Sequence, residues 1–207
     1  MILLKKEIDP DHCPILYDKP FTENSFKDDF TVCGGKWRVE EGWLIGENRG
    51  NFPGMAISKN SYNENVILDF EAATVLPCSH DINVMWNGSW NFETNTRDIA
   101  YVVGLEGWWH GKVGFEKSPE YVLNAATPLF KFEAGRIYRI QCGSIDGHIF
   151  VAVDGKLVLE VTDPEPIDFK KHGLVGFEAY CAKLKFRNFK IRKAVWAETA
   201  DEYIPEF

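Results

Sequence analysis

No run in this chain approaches the ~18 consecutive apolar residues of a membrane span, so no transmembrane helix is expected. Nor does it contain a Cys-x-x-Cys pair. Its five cysteines, Cys13, Cys33, Cys78, Cys142 and Cys181, are odd in number and widely scattered, which gives no zinc or dithiol spacing. The opening segment, Met1 to Glu7, has neither an apolar core nor a small-residue cleavage site, so no secretory leader is expected. Free thiols without a leader make the reducing cytoplasm the expected location. Basic residues are outnumbered, with 23 Lys and Arg against 31 Asp and Glu, for a formal net charge of −8. Nucleic acid and anionic membrane surfaces call for the opposite balance. There is no internal repeat, no low-complexity tract and no stretch of convincing helical period, apart from a turn at Val195–Glu202. Glycine-rich phosphate loops, a Gly-x-Ser-x-Gly elbow and a Ser/His/Asp set are all missing, which leaves those enzyme classes without support.

What the chain does have is aromatic side chains and turn signals. Seven Trp, seven Tyr and fifteen Phe exceed what a core of this length needs, and Trp-rich β-proteins often stack sugar-like ligands. Asp146-Gly147 and Asp154-Gly155 each join two β-rich runs. Asp-Gly supplies the positive φ that both central positions of a type I′ turn require. Two in succession predict a three-stranded meander over 137–161. Leu174–Tyr180 and Lys183–Arg192 add two further strands.

Ahead of the meander, Lys36–Glu40 and Gly42–Glu47 read as a hairpin, and Asn65–Leu76 as a long strand whose Val66, Leu68, Phe70 and Ala72 alternate with Asp69 and Glu71. Ile82–Asn87 turns Ile82, Val84 and Trp86 one way and Asn83, Met85 and Asn87 the other. Ala100–Trp109 and Gly111–Lys117 follow. The expected architecture is all-β: an antiparallel jelly-roll sandwich with a concave ligand face. One domain spans residues 1–207, with an irregular arm over 1–35 and a tail over 195–207.

Three constellations carry chemistry. In Gly104 to Lys112, strand parity puts Gly104, Glu106 and Trp108 on one face. An indole stacks a sugar ring while a carboxylate takes its hydroxyls. His110 and Lys112 follow in the same segment, and imidazole titrates near neutral pH. Asn83 supplies an amide that suits polyol recognition, whereas Asn87-Gly88 reads as a tight corner. Glu178 and Tyr180 oppose Val175, Phe177 and Ala179, so they face a cleft if the apolar side is core. Each has a plainer alternative: edge packing for Trp108, solvated decoration for Glu106, Glu178 and Tyr180. No His/Asp/Glu spacing predicts a metal site.

The chain resembles the concanavalin A-like lectin/glucanase superfamily, and within it the small bacterial 3-keto-disaccharide hydrolase-like sandwiches. The resemblance rests on Glu40-Glu41-Gly42-Trp43-Leu44-Ile45, on Asn65 to Glu71, and on Arg136 to Lys156. The most specific part is Gly173-Leu174-Val175-Gly176-Phe177-Glu178 with Phe186-Arg187-Asn188-Phe189-Lys190-Ile191. It departs from the pattern where Glu178 and Tyr180 replace a Gln and a His, and in lacking the glucanase Glu-x-Asp-x-x-Glu motif.

The resemblance implies that Asp81, Asn83, Trp86 and Asn87 lie on a ligand-facing strand, which makes Asn83 and Trp86 candidate substrate contacts. It implies an enzyme that removes the C2 proton of a 3-keto-glycoside, with the C1 substituent leaving by elimination. Glu106, His110 or Glu178 would be the base, and Arg97, Lys112, Tyr180 or a metal would steady the oxygen. A two-carboxylate hydrolase using Glu106 and Glu178 is a variant. No cofactor is required, although calcium is common in the superfamily. The expected partner is a saccharide or glycoside. The competing functions are a non-catalytic sugar-binding module and a sandwich that binds another protein through its Trp-rich edge.

Overall fold

Both Asp-Gly turns form as the sequence predicts: Asp146 and Gly147 take φ of 48° and 84°, and Asp154 and Gly155 take 50° and 78°. The computed structural model describes residues 1–108, 110–128 and 131–199. Its elements begin with β1 (Ile2–Leu3), β2 (Lys6–Ile8), β3 (Ile15–Asp18), helix α1 (Glu23–Asp29), β4 (Phe30–Val32), β5 (Lys36–Glu40) and β6 (Trp43–Asn48). Then come β7 (Gly54–Ser58), β8 (Val66–Thr74), β9 (Ile82–Asn91), β10 (Thr96–Leu105), β11 (Val113–Ser118) and β12 (Asn124–Thr127). The meander is β13 (Tyr138–Ile145), β14 (His148–Val153) and β15 (Lys156–Thr162), followed by β16 (Leu174–Ala179), β17 (Ala182–Lys193) and β18 (Trp196–Glu198).

Two antiparallel sheets form the sandwich. One has the order β12-β11-β10-β9-β16-β7-β4; the other has the order β15-β14-β13-β8-β17-β6-β5, with β3 also paired to β17. Each strand sends alternate residues inward. Val84, Trp86, Tyr101, Val103, Phe115 and Phe177 from the first sheet meet Leu68, Phe70, Tyr138, Phe186 and Phe189 from the second in one core. Phe177 sits at the centre, 4.7 Å between ring centroids from both Phe186 and Phe189. Ring pairs at this spacing add to the area they bury.

The arm over 1–35 is more regular than the sequence suggested. Thr22 caps α1 through a box with Ser25, and Tyr17, Phe21, Phe26 and Phe30 anchor the segment in the main core. Their uneven spacing shows no period, which is why the sequence reads as irregular. The segment expected to turn at Val195–Glu202 is extended where described: β18 pairs with β2. Residues 200–207 lie outside the described residues, as does Trp109 of the expected Trp-rich edge.

Candidate functional site

The first sheet exposes a polar row on the face turned away from the core. Register pairs Glu178 with Asn83, Asn83 with Gly104, and Gly104 with Gly114. Directly paired residues project to the same side. One step along, Glu116 pairs with Val102. Because Phe177, Val84, Val103 and Phe115 are core, period two turns Glu178, Asn83 and Glu116 outward. These residues form one wall of a cavity of about 540 Å³, inside the ~300–1,000 Å³ typical of small-molecule sites. Asp81, Trp108, Tyr121 and Tyr180 stand on its rim.

Arg97 governs the electrostatics. It lies near the start of β10, beyond two register irregularities, and its guanidinium donates to Glu178 Oε2 and, at 2.7 Å, to Ser118 Oγ. Glu116 Oε1 lies 4.0 Å away. The side chains of Arg97, Glu116 and Glu178 are each only 8% exposed. One guanidinium therefore serves a cavity lined by three carboxyl groups, counting Asp81. Burial, reinforced by the Glu178 charge, pushes Asp81 up to about 7. Burial also raises Glu116 to about 7, against the opposing pull of Arg97. Desolvation penalises the charged form of a carboxyl group, and a nearby like charge adds to that penalty.

Three residues that line the cavity have backbone in the left-handed region: Asp81, Tyr121 and Cys181 have φ of 78°, 55° and 50°. Such conformations cost non-glycine residues energy and cluster at functional sites. Asp81 holds the rim together: its carboxylate accepts from Asn83 Nδ2 at 2.9 Å and from the Tyr180 backbone N–H at 3.0 Å. The Tyr180 hydroxyl donates to the Asn51 carbonyl at 2.8 Å.

Of the sequence candidates, Asn83, Arg97, Trp108, Glu178 and Tyr180 line this cavity. Trp86 does not reach it. Its indole is fully buried between the sheets and donates to Ser144 Oγ at 3.0 Å, so the expected substrate contact is corrected to a core residue. Glu106 and His110 also lie apart from it. The left-handed turn at Glu106 ends the alternation of β10, and its carboxylate accepts from the Gly111 N–H at 2.7 Å. His110 Nδ1 lies 2.6 Å from the same carboxylate, with its side chain 99% exposed. The pair lines a neighbouring cleft of about 460 Å³ with Ser79 and Phe132. Lys112 lines neither; its carbonyl accepts the Glu106 N–H. Among the described residues, no three His, Cys, Asp or Glu side chains are grouped as a metal-ligand set.

Glu116, Tyr121 and Asn124 were not singled out from sequence. The parity of Val113 and Phe115 was the available signal for Glu116; the other two have no pattern. Gly104 matters through what it lacks. A Cβ there would stand 2.3 Å from Asn83 Oδ1 and 2.6 Å from the Trp108 ring. Gly104→Ala is expected to displace both groups and weaken ligand binding about tenfold, roughly 1.4 kcal/mol. Calorimetric titration of the variant, with circular dichroism to show an intact sandwich, checks this.

No family model and no curated protein matches the chain. Solved structures do match, and the likeness is one of fold, an antiparallel β-sandwich, described as galectin-like for one of them. One is the carbohydrate-binding module CBM66 from Bacillus subtilis, with a TM-score of 0.63 at 14% identity, covering 80% of this chain and 96% of that one. A Bacillus subtilis protein of unknown function with a galectin-like fold gives 0.64 at 14% identity, covering 92% and 99%. A protein described as a putative glycosyl hydrolase from Parabacteroides distasonis gives 0.57 at 12% identity, covering 86% and 99%.

Proposed function

We propose that the cavity on the outer face of the first sheet binds a saccharide and cleaves its glycosidic bond. The observation that carries this is the pair Asp81 and Glu116, both raised to about 7 beside the Arg97–Glu178 ion pair. A group whose pKa lies near the working pH is matched to proton transfer in either direction. Asp81 and Glu116 supply the acid and base capacity, Glu178 the standing negative charge, and Arg97 the cation that steadies a developing oxyanion. The Arg97 Nε–H is a buried donor without a partner. Trp108 and Tyr180 offer apolar ring faces, and Asn83 an amide for hydroxyls. This set suits either C2 proton removal from a 3-keto-glycoside followed by elimination, or direct hydrolysis with one carboxyl group as acid.

Incubation with a panel of glycosides and their 3-keto forms, with aglycone release as readout, tests the proposal. Glu178→Gln, Asp81→Asn and Glu116→Gln are each expected to lower release by about 10²-fold or more. Glu106→Gln and His110→Ala, which alter the neighbouring cleft, are expected to leave it within a few-fold. Release that survives Glu178→Gln and Asp81→Asn unchanged would remove the catalytic assignment. A second reading, a non-catalytic sugar-binding module, is favoured by the likeness to CBM66, a carbohydrate-binding module matched over 96% of its chain. Saturable binding of sugars with no release from any glycoside selects it.

A further inference from the structure

We propose that the saccharide bound in this cavity carries an unacylated primary amine, held as an ammonium between Asp81 and Asn83; this rests on the cavity holding a saccharide, and with such a sugar bound Glu116 carries the acid–base role. The first observation is a charge imbalance. Asp81, Glu116 and Glu178 share the cavity with one guanidinium, and that guanidinium bonds Glu178. Asp81 is only 5% exposed, yet its two bonded partners, the Asn83 amide and the Tyr180 backbone N–H, are neutral. A buried charge is stable when an opposite charge accompanies it. Among the described residues no cation is bonded to Asp81, so burial favours its protonated form and a bound cation shifts it to the ionised one.

The second observation is independent of charge. Asn83 turns Nδ2 toward Asp81 Oδ1, the orientation that an ionised Asp81 requires because its carboxylate offers only acceptors. That fixes Asn83 Oδ1 on the opposite side, where it is buried and has no donor. A buried acceptor left unpaired is expensive. Both oxygens converge on one place. Asn83 Oδ1 and Asp81 Oδ1 each lie 3.3 Å from the point that a Cβ on Gly107 would occupy, so the two oxygens flank the same glycine at the cavity wall. The Trp108 ring edge meets Asn83 Oδ1 over Gly104, so a ligand reaches that oxygen by shifting the indole.

Three classes of group could donate there. A hydroxyl has one hydrogen for two acceptors and no charge. An acetamido group has one N–H and brings a carbonyl oxygen toward a carboxylate. An ammonium has three donors and the missing charge. A metal cation would need a ligand set that the described side chains do not form. Other titratable or charged groups facing the cavity are Glu116, Glu178, Arg97, His80, Tyr121, Tyr180 and Cys181. Arg97, the one permanent cation among them, is bonded to Glu178.

Titration calorimetry with methyl glycosides of the gluco and galacto series, each as the 2-amino, 2-acetamido and 2-hydroxy form, tests the inference. The amine is expected to bind at least about tenfold more tightly than either counterpart, with the margin narrowing as salt is added. Asp81→Asn, shown folded by circular dichroism, is expected to bring the ratio close to one. A second readout needs no variant. Near pH 6.5, amine binding to the wild-type protein releases a proton from the Asp81 carboxyl, seen as binding heat that varies with the buffer's own ionisation enthalpy. Equal or tighter binding of the neutral forms, a preference that survives Asp81→Asn, or heat independent of buffer would overturn the amine. In those cases the saccharide site itself stands. If none of the six glycosides binds, the saccharide reading falls and the amine with it.

Discussion

Arg97→Met is expected to lower the unfolding free energy by about 3–5 kcal/mol at pH 8, the cost of stranding one partner of a buried ion pair. Glu178 and Glu116, each 8% exposed, lose their shared cation while Asp81 adds a third carboxyl group nearby. Lowering the pH should recover much of the loss, because the stranded carboxyls then protonate and carry no charge into the interior. Urea denaturation of wild type and variant at pH 5 and pH 8 reads both effects. Equal losses at the two pH values would mean that Arg97 acts through packing and not through charge.

The second large effect is the pH dependence of stability itself. Asp81 and Glu116 rise from ordinary values of 3.8 and 4.5 to about 7 in the folded protein. Between those limits the native state holds more protons than the unfolded chain, so stability falls as pH rises from about 4 to about 7 and levels off above. At roughly 1.4 kcal/mol for each tenfold change in proton affinity, the two groups each contribute a few kcal/mol over this window. Asp9, Asp11, Glu47 and Asp168 are lowered by their cationic or hydrogen-bonding partners. Their contributions have the opposite sign and are lost as pH falls through the acid range below about 4. Combining Asp81→Asn with Glu116→Gln is expected to flatten the slope from pH 5 to 8 and to raise stability at pH 8. Midpoints from urea titrations across that range check it. A wild-type protein that gains stability between pH 5 and 7 would contradict the arrangement of charges described here.

That a cavity should weaken the fold that carries it is consistent with how legible each part was in the sequence. Asp146-Gly147 and Asp154-Gly155 announced their turns because few other residue pairs adopt that conformation cheaply. Parity around Phe177 placed Glu178 on the face opposite the core, and parity around Val84 placed Asn83 with it. The same rule assigned Trp86 to the core side with Val84. Treating it as a substrate contact followed the resemblance against the alternation, and the alternation describes its position. Glu106 fails differently. A non-glycine residue with φ of 51° resets the parity, and nothing in Leu105-Glu106-Gly107 announces that reset over a continuing strand. Arg97 enters the cavity from beyond two irregularities in β10, so its distance in sequence from Glu178 gave no hint of their contact. Asp81 was visible only as part of a strand resemblance, since its role depends on a rim that closes through Tyr180.

Locating the ligand tests the central claim most directly. In crystals soaked with whichever sugar calorimetry ranks tightest, the ring should lie between Trp108 and Tyr180, with polar substituents on Asn83, Asp81 and Glu178. A sugar seated instead in the Glu106–His110 cleft or on the second sheet, with the Arg97–Glu178 cavity left empty, would contradict it.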